Sequence, residues 1–270
     1  DDVVAGDLWN FEAGLPHSIQ ALDQGCEFLL VFSEPDFSEN NTFLLTDWFA
    51  HTPQDVVAAN FRKTPGEISA FPGEQKYIFP GNVPGSLAEV TRATPGGPVP
   101  SPFTLHMDTV PVIESEAGRV RIVDVNTFPA AQTISAAFVE IEPGGMRELH
   151  WHPKAAEWQY YIQGQARMTV FNSNGVARTF NYTAGDVGVV PFVAGHYVQN
   201  TGDEKLIFVE VFKYSDISAR KWLAANPVQI VADHLNVTNS FVESLPLEET
   251  PAPVIWYDQS KVPTSAERSL

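Results

Sequence analysis

Hydrophobic and polar positions alternate along this chain in short stretches separated by glycine and proline, a pattern that predicts many short β-strands. The clearest alternating or apolar stretches are residues 119–123, 137–141, 167–171 and 207–212. Two further stretches, residues 8–11 and 28–32, predict strands near the start of the chain. The pattern therefore predicts a mainly β protein.

Short helices are predicted between the strands, at residues 44–70 and 215–245. Thr52-Pro53-Gln54-Asp55 places a capping residue before a proline at the first helical position and an acid in the first turn, and Thr64-Pro65-Gly66-Glu67 repeats this arrangement. Residues 72–103 are rich in proline and glycine and are predicted to connect two β units.

The two β units end alike, which indicates an internal duplication. Gly6 precedes His17 by eleven positions, and Gly185 precedes His196 by the same interval. We expect an incomplete first β unit with a loop, helices and connector at 1–105, a complete second unit at 106–245 and an extended tail at 246–270. The chain is thus predicted to be a fragment that lacks an N-terminal portion.

Composition narrows the class of partner. The 270 residues are 44% hydrophobic and 11% aromatic, enough for a packed core, and the net charge of −17 argues against nucleic-acid binding. An acidic surface does not exclude an anionic substrate. No apolar run approaches the roughly 18 residues that a membrane span requires, so we expect no membrane association.

The single cysteine and the potential glycosylation sites give only weak indications of the compartment in which the protein acts. Cys26 is the single cysteine, so no internal disulfide forms, and its apolar neighbourhood favours a buried structural thiol over a reactive one. Asn40, Asn181 and Asn236 begin Asn-x-Ser/Thr triplets, which give weak support for a secreted glycoprotein.

The strongest chemical signal is a cluster of potential metal ligands. His150 and His152 lie two residues apart in a predicted strand and therefore point to the same face, and Glu157 follows after a short turn. His196, after the second glycine turn, can complete a site of three nitrogens and one carboxylate. Such a site suits manganese, iron, nickel, copper or zinc rather than calcium or magnesium. The alternative is a surface histidine pair beside an unrelated acid, which the regular Gly-to-His unit disfavours.

These residues resemble the two motifs of the cupins. The matching positions are Gly144, His150, His152, Glu157, Gly164, Gly185, Pro191, His196 and Asn200. One departure is Val193, which stands where the second motif usually has glycine. The resemblance implies double-stranded β-helix barrels with the metal inside.

The resemblance is closer to one cupin family, the oxalate decarboxylases. Their second cupin is similar to the segment Arg147-Glu148-Leu149-His150-Trp151-His152 and to residues 157–162. Residues 14–20 resemble the second motif of their first cupin, although Glu12 replaces the motif's proline, and residues 38–42 resemble the lid over their first metal. The resemblance extends to about residue 245 and implies a bicupin whose first barrel is incomplete.

The resemblance also implies ligands for manganese. His150, His152, Glu157 and His196 would hold the metal of the second cupin. His17 would be one ligand of the first site, whose other ligands are absent from this chain, so that site cannot close.

Three residues receive catalytic roles from the resemblance. Glu39 matches the lid acid that protonates the radical left after carbon dioxide departs. Arg147 would hold a substrate carboxylate, although strand alternation places it opposite the ligands unless the backbone bulges near Gly144. Glu210 is the candidate acid or base of the second site, and its apolar surroundings predict a pair with Arg147, either structural or catalytic.

The implied reaction converts oxalate and a proton to formate and carbon dioxide, with manganese as cofactor and dioxygen as catalytic co-substrate. Three alternatives stay open: an oxalate oxidase that releases hydrogen peroxide, a bicupin storage or sugar-binding protein without catalysis, and a decarboxylase of which this fragment alone is inactive. Glu39 favours the decarboxylase because a proton donor directs the reaction to formate. By resemblance, the full-length protein is expected to be a homo-oligomer.

Overall fold

The computed structural model describes residues 1–34, 36–38, 41–93, 96, 103–212, 217–247 and 253–261. The chain divides into two compact units, one of residues 1–15 with 99–270 and one of residues 16–98. Strand β1 (Leu8–Trp9) pairs with β2 (Thr104–Leu105), and this pairing joins the first residues to the larger unit. The division therefore differs from the predicted boundary at residue 105.

The described residues of the smaller unit form three short helices. They are α1 (Leu45–Ala50), α2 (Gln54–Asn60) and α3 (Leu87–Ala93). Val57, Ala58 and Ile68 form its buried cluster. The first two helices were predicted, whereas Thr64 to Glu67 makes the hydrogen bonds of a capping box but begins only turns.

Two predictions for the smaller unit are wrong, and one helix was overlooked. Residues 28–32 form no strand and are 40–48% exposed, because no described strand pairs with them. Cys26 is exposed rather than buried. The predicted connector contains α3, where the Glu89 carboxylate accepts hydrogen bonds from the Ser86 amide and hydroxyl at 2.9 and 2.8 Å. This capping box, Ser86-x-x-Glu89, was the overlooked sequence signal.

In the described part of the larger unit, all strands other than β1 and β2 form two antiparallel sheets of six strands each. The first contains, in spatial order, β10 (Val187–Val190), β7 (Glu157–Gln163), β12 (Leu206–Phe212), β5 (Ser135–Ile141), β4 (Gly118–Val123) and β3 (Ile113–Ser115). The second contains β13 (Ile217–Ser218), β6 (Gly145–Trp151), β11 (Gly195–Asn200), β8 (Gln165–Asn172) and β9 (Val176–Thr183), with β14 (Val254–Trp256) also paired to β6.

The core lies between these two sheets. In β12, every second residue from Leu206 to Phe212 is buried, as the two-residue period of a strand requires. Phe208 and Val139 from the first sheet pack in one cluster with Met168 and Val198 from the second. The predicted mainly β fold is confirmed, with the two sheets forming the barrel walls.

Three helices follow the last long strand, as predicted: α4 (Ala219–Ala224), α5 (Val228–Leu235) and α6 (Asn239–Glu243). The Ser218 hydroxyl accepts a hydrogen bond from the Lys221 amide and caps α4. The tail predicted at residues 246–270 contains a short strand. Its β14 belongs to the barrel, since Val254 pairs with Arg147 and is fully buried. Nowhere in the described chain is a helix both long and apolar enough to cross a bilayer.

Candidate metal centre

A β-bulge in β6 brings Arg147 and His150 to the same face of the sheet. His196 of β11 lies opposite His150, but Val198, two residues later, lies opposite Arg147, three residues earlier. The extra residue on β6 reverses the alternation of side chains between the two faces of the strand. Arg147 and His150 are therefore both buried, each 1% exposed, whereas Leu149 between them is 55% exposed. The sequence allowed a bulge near Gly144, whereas the structure has it between Arg147 and His150.

The structure brings together the four predicted ligands, His150, His152, Glu157 and His196. One ligand atom from each lies within 4.8 Å of all the others, and all four residues are buried. Glu157 Oε2 is 2.6 Å from His152 Nε2 and 3.0 Å from His196 Nε2. Antiparallel pairing of β6 with β11 explains how positions far apart in sequence meet here.

The histidine tautomers suit a metal. His150 Nδ1 lies 2.7 Å from the Glu148 carbonyl oxygen. Because a carbonyl oxygen only accepts, Nδ1 carries the hydrogen and donates this hydrogen bond, and Nε2 keeps its lone pair. His150 Nε2 is buried and has no hydrogen-bond partner among the described residues. His196 Nδ1 is held in the same way, 3.2 Å from the Ala194 carbonyl. A buried nitrogen aimed at a carboxylate and two imidazoles fits a transition-metal ion.

The electrostatics of the cluster favour the protonation states that a metal requires. Burial, followed by the positive charge of Arg147 and by His196, holds the pKa of the His150 imidazole well below its ordinary value. Burial alone would raise the pKa of the Glu157 carboxyl, but His196, His152 and His150 together hold it well below its usual range. Neutral imidazole and ionised carboxylate are the ligand forms.

Sequence reasoning missed two polar residues behind Glu157. Gln159 Nε2 donates to Glu157 Oε1 at 2.6 Å, and the Tyr161 hydroxyl donates to Gln159 Oε1 at 2.6 Å. A signal was present in the sequence, because Gln159 and Tyr161 follow the ligand at positions two and four along a strand and so share its face.

Glu210 lies inside the barrel near this cluster. It is 1% exposed, on β12, and its neighbours across the sheet are Ala137 of β5 and Gln159 of β7. The charges of Glu210 and Glu157 both contribute to raising the pKa of Tyr161, after burial and Tyr182. The predicted pair between Glu210 and Arg147, and the catalytic roles of both residues, stay predictions.

Two predicted site residues remain, His17 and Glu39. His17 is exposed in the smaller unit, and the part of the chain that the structure describes contains no second group of ligands close enough to hold a metal ion. Glu39 lies outside the described residues. The roles of His17 and Glu39 therefore stay predictions.

Comparison with known proteins agrees with this geometry. The cupin family model matches residues 107–243. The chain is 57% identical over 254 residues to the oxalate decarboxylase OxdC of Bacillus subtilis, covering 93% of this chain and 66% of that protein. The chain thus spans just under two thirds of this relative's length.

Solved structures show the same likeness. The oxalate decarboxylase of Lactobacillus farciminis, in a formate complex, shares 66% identity with a TM-score of 0.87, covering 91% of this chain and 74% of that one. A Bacillus subtilis oxalate decarboxylase structure concerned with its Mn(II) centres shares 56% identity with a TM-score of 0.89, covering 95% and 68%. The chain belongs to the cupin family and, within it, to the oxalate decarboxylase family.

Proposed function

We propose that this protein catalyses the manganese-dependent decarboxylation of oxalate to formate and carbon dioxide. The observation that supports the proposal is the bulge in β6, which buries Arg147 on the same face of the strand as His150, a member of the buried cluster of three histidines and one glutamate. A dianionic dicarboxylate needs both a cationic metal and a second positive group inside an acidic protein.

Manganese is the proposed metal because the relatives with Mn(II) centres share the fold and more than half of the sequence. His150, His152, Glu157 and His196 would hold it. Bound manganese would supply a Lewis acid able to exchange an electron, with dioxygen as the proposed co-substrate. By the same proposal, a second manganese site, in the first cupin, would include His17.

The chain's own residues are assigned the remaining steps. Arg147 would bind one carboxylate of oxalate through paired N–H donors and fix its orientation. Glu210 would hold or accept the oxalate proton, after which the carbon–carbon bond breaks, carbon dioxide leaves and a new C–H bond forms in formate. Glu39 is the proposed donor of that last proton for the first cupin.

An oxidase would use the same ligands but would release hydrogen peroxide and two molecules of carbon dioxide. The relatives reported above are decarboxylases, which favours formate as the product. A storage or sugar-binding role needs no buried set of four ligands, so the intact cluster favours an enzyme.

The test is product analysis on manganese-loaded protein. Carbon-13 oxalate in mildly acidic, aerated buffer should yield formate by NMR, with little hydrogen peroxide in a coupled peroxidase assay. Arg147→Lys and Glu210→Gln should each lower the rate at least tenfold, since each removes a group that touches substrate. The exposed Arg178→Lys and Glu204→Gln serve as matched controls and should retain the parent rate. Peroxide in place of formate would identify an oxidase, and no turnover with bound manganese would reject catalysis by this chain.

Secretion, glycosylation and homo-oligomerisation are part of the same proposal. Asn181 and Asn236 are both exposed, which permits glycan attachment, whereas Asn40 lies outside the described residues. Expression in a secreting eukaryotic host, with a mobility shift on glycosidase treatment, tests the first two. Light scattering of the full-length protein tests the third, and a monomer would contradict it.

A further inference from the structure

We propose that Gln159 and Tyr161 are positioning residues that hold the Glu157 carboxylate so that only one of its oxygens faces the metal site. The inference deepens the proposed function, on whose metal site it rests. It starts from the period of β7, in which Glu157, Gln159 and Tyr161 alternate with more exposed residues. Their exposures are 0%, 1% and 0%, so all three point into the barrel.

Glu157, Gln159 and Tyr161 form a row of side chains along β7, and the hydrogen bonds within this row have a defined direction. Tyr161 can donate to Gln159 Oε1, which fixes the amide orientation and leaves the Gln159 NH₂ group to donate to Glu157 Oε1. Both distances are 2.6 Å, short for a buried network. The second bond ends on an ionised carboxylate and is therefore one of the stronger kind.

The Tyr161 ring is held as firmly as its hydroxyl. It stacks on Tyr182 with ring centroids 4.6 Å apart and on Phe208 at 5.4 Å. Burial, followed by Tyr182 and the carboxylates of Glu157 and Glu210, raises the pKa of the Tyr161 hydroxyl above its ordinary value. The hydroxyl consequently stays a donor across the working pH range, and the amide of Gln159 does not reverse.

The row determines what Glu157 can offer to a metal. Oε1 is occupied by Gln159, whereas Oε2 faces His152 and His196 at 2.6 and 3.0 Å. A carboxylate held in this way offers one oxygen rather than two, and carboxylates are able to bind in either mode. One-oxygen ligation would leave a coordination position that a dicarboxylate substrate can take.

Gly188 provides the space that this arrangement needs. It lies opposite Gln159 on β10, and a Cβ at this position would be 3.0 Å from Gln159 Oε1 and 3.5 Å from the Tyr182 ring. Any side chain here would press on the amide. On its other side Gln159 lies opposite Glu210 of β12, so the residue that holds the ligand is also a neighbour of the candidate acid or base.

The experiment compares Gln159→Met and Tyr161→Phe with the parent protein. Tyr160→Phe is the matched control, because it removes a hydroxyl from the same strand on the other face. Mn(II) affinity is measured by titration of the free-ion EPR signal, and the environment of the bound ion by its EPR fine structure. Circular dichroism and the melting temperature of the metal-free protein verify folding, and Tyr161→Phe, which removes a single oxygen, carries the test if Gln159→Met does not fold.

We expect Gln159→Met to weaken Mn(II) binding roughly 10–100-fold, because removing a hydrogen bond to a metal ligand has this effect in other proteins, and to change the EPR fine structure. Tyr161→Phe should act in the same direction by a smaller factor, and Tyr160→Phe should match the parent. Parent affinity and an unchanged spectrum in a folded Gln159→Met would overturn the inference, even if the parent makes formate. A parent that binds manganese without making formate would refute the proposed function but leave the positioning result intact.

Discussion

The turn before His196 contains a strained valine whose effect on stability can be isolated. Ala194 N–H closes this turn on the Pro191 carbonyl at 3.1 Å, and Val193 within it has a φ of 63°. This is the left-handed region, which a β-branched residue rarely adopts and where turns of this kind favour glycine. Val193 stands where the cupin motif usually has glycine, so the turn keeps the backbone conformation that the glycine would adopt.

The free energy at stake follows from the backbone. A left-handed conformation costs an L-residue roughly 1–2 kcal/mol, while glycine loses about 0.5–1 kcal/mol more conformational entropy on folding. Val193 is 49% exposed, so its removal also costs some packing. Val193→Gly and Val193→Ala lose nearly the same packing, and only glycine relieves the strain. We therefore expect the glycine variant to be more stable than the alanine variant by about 1 kcal/mol.

Thermal and urea unfolding of the metal-free variants measure this difference, which should appear as a shift of about 2–4 °C. Val189 is the matched control, since it has the same side chain, 47% exposure and an extended backbone in β10. There the order should reverse, with alanine more stable than glycine by about 0.5–1 kcal/mol. Equal stability of the two Val193 variants, or alanine ahead, would refute the reasoning.

Three further predictions concern the larger unit. Manganese at 100 times its dissociation constant should raise the unfolding free energy by about 2.7 kcal/mol, and His150→Ala should abolish this gain in calorimetry. Asp7→Asn should destabilise the protein at neutral pH. Burial favours a higher pKa for the Asp7 carboxyl, but two backbone amides and His106 hold its pKa in the folded protein below the ordinary value of 3.8. The contribution of Asp7 to stability is therefore present above pH 3.8 and is lost as pH falls through the lower pKa of the folded protein, which urea titrations at several pH values measure. Arg220→Met removes the 2.8 Å ion pair with the buried Glu148 carboxylate and should lower the free energy of unfolding by roughly 2–3 kcal/mol, measured by urea titration. The expected loss is smaller than for a fully buried pair because Arg220 is about one third exposed. An unchanged free energy of unfolding would contradict this prediction.

Much of the larger unit was predictable because its strands bury one face. The alternation at residues 137–141 and 207–212 reports which side chains enter the core, and those segments became β5 and β12. Residues 28–32 show the limit of this reasoning. Five apolar residues predict a strand only if a neighbouring strand supplies backbone partners, and local sequence does not contain that information.

The ligands could be predicted for a related reason. His150 and His152 share a face by the period of a strand, and the matching intervals from Gly6 and Gly185 identified His196 as the distant ligand. Gln159 and Tyr161 share the face of Glu157 by the same period. What the sequence does not show is that Gly188 of β10 and Glu210 of β12 lie opposite Gln159, because only the strand order determines this.

Arg147 shows how one backbone irregularity decides the chemistry of the site. With regular alternation its guanidinium would point away from His150, and the ligand cluster would contain no second positive group for an anionic substrate. The bulge adds one residue at Glu148 and Leu149, so Arg147 turns inward and its charge lowers the pKa of His150. The same displacement buries Glu148, whose carbonyl orients His150 and whose carboxylate pairs with Arg220. A single extra residue thus positions a candidate substrate-binding group and selects the tautomer of a ligand, which is why we expect changes in this segment to alter metal binding and turnover together.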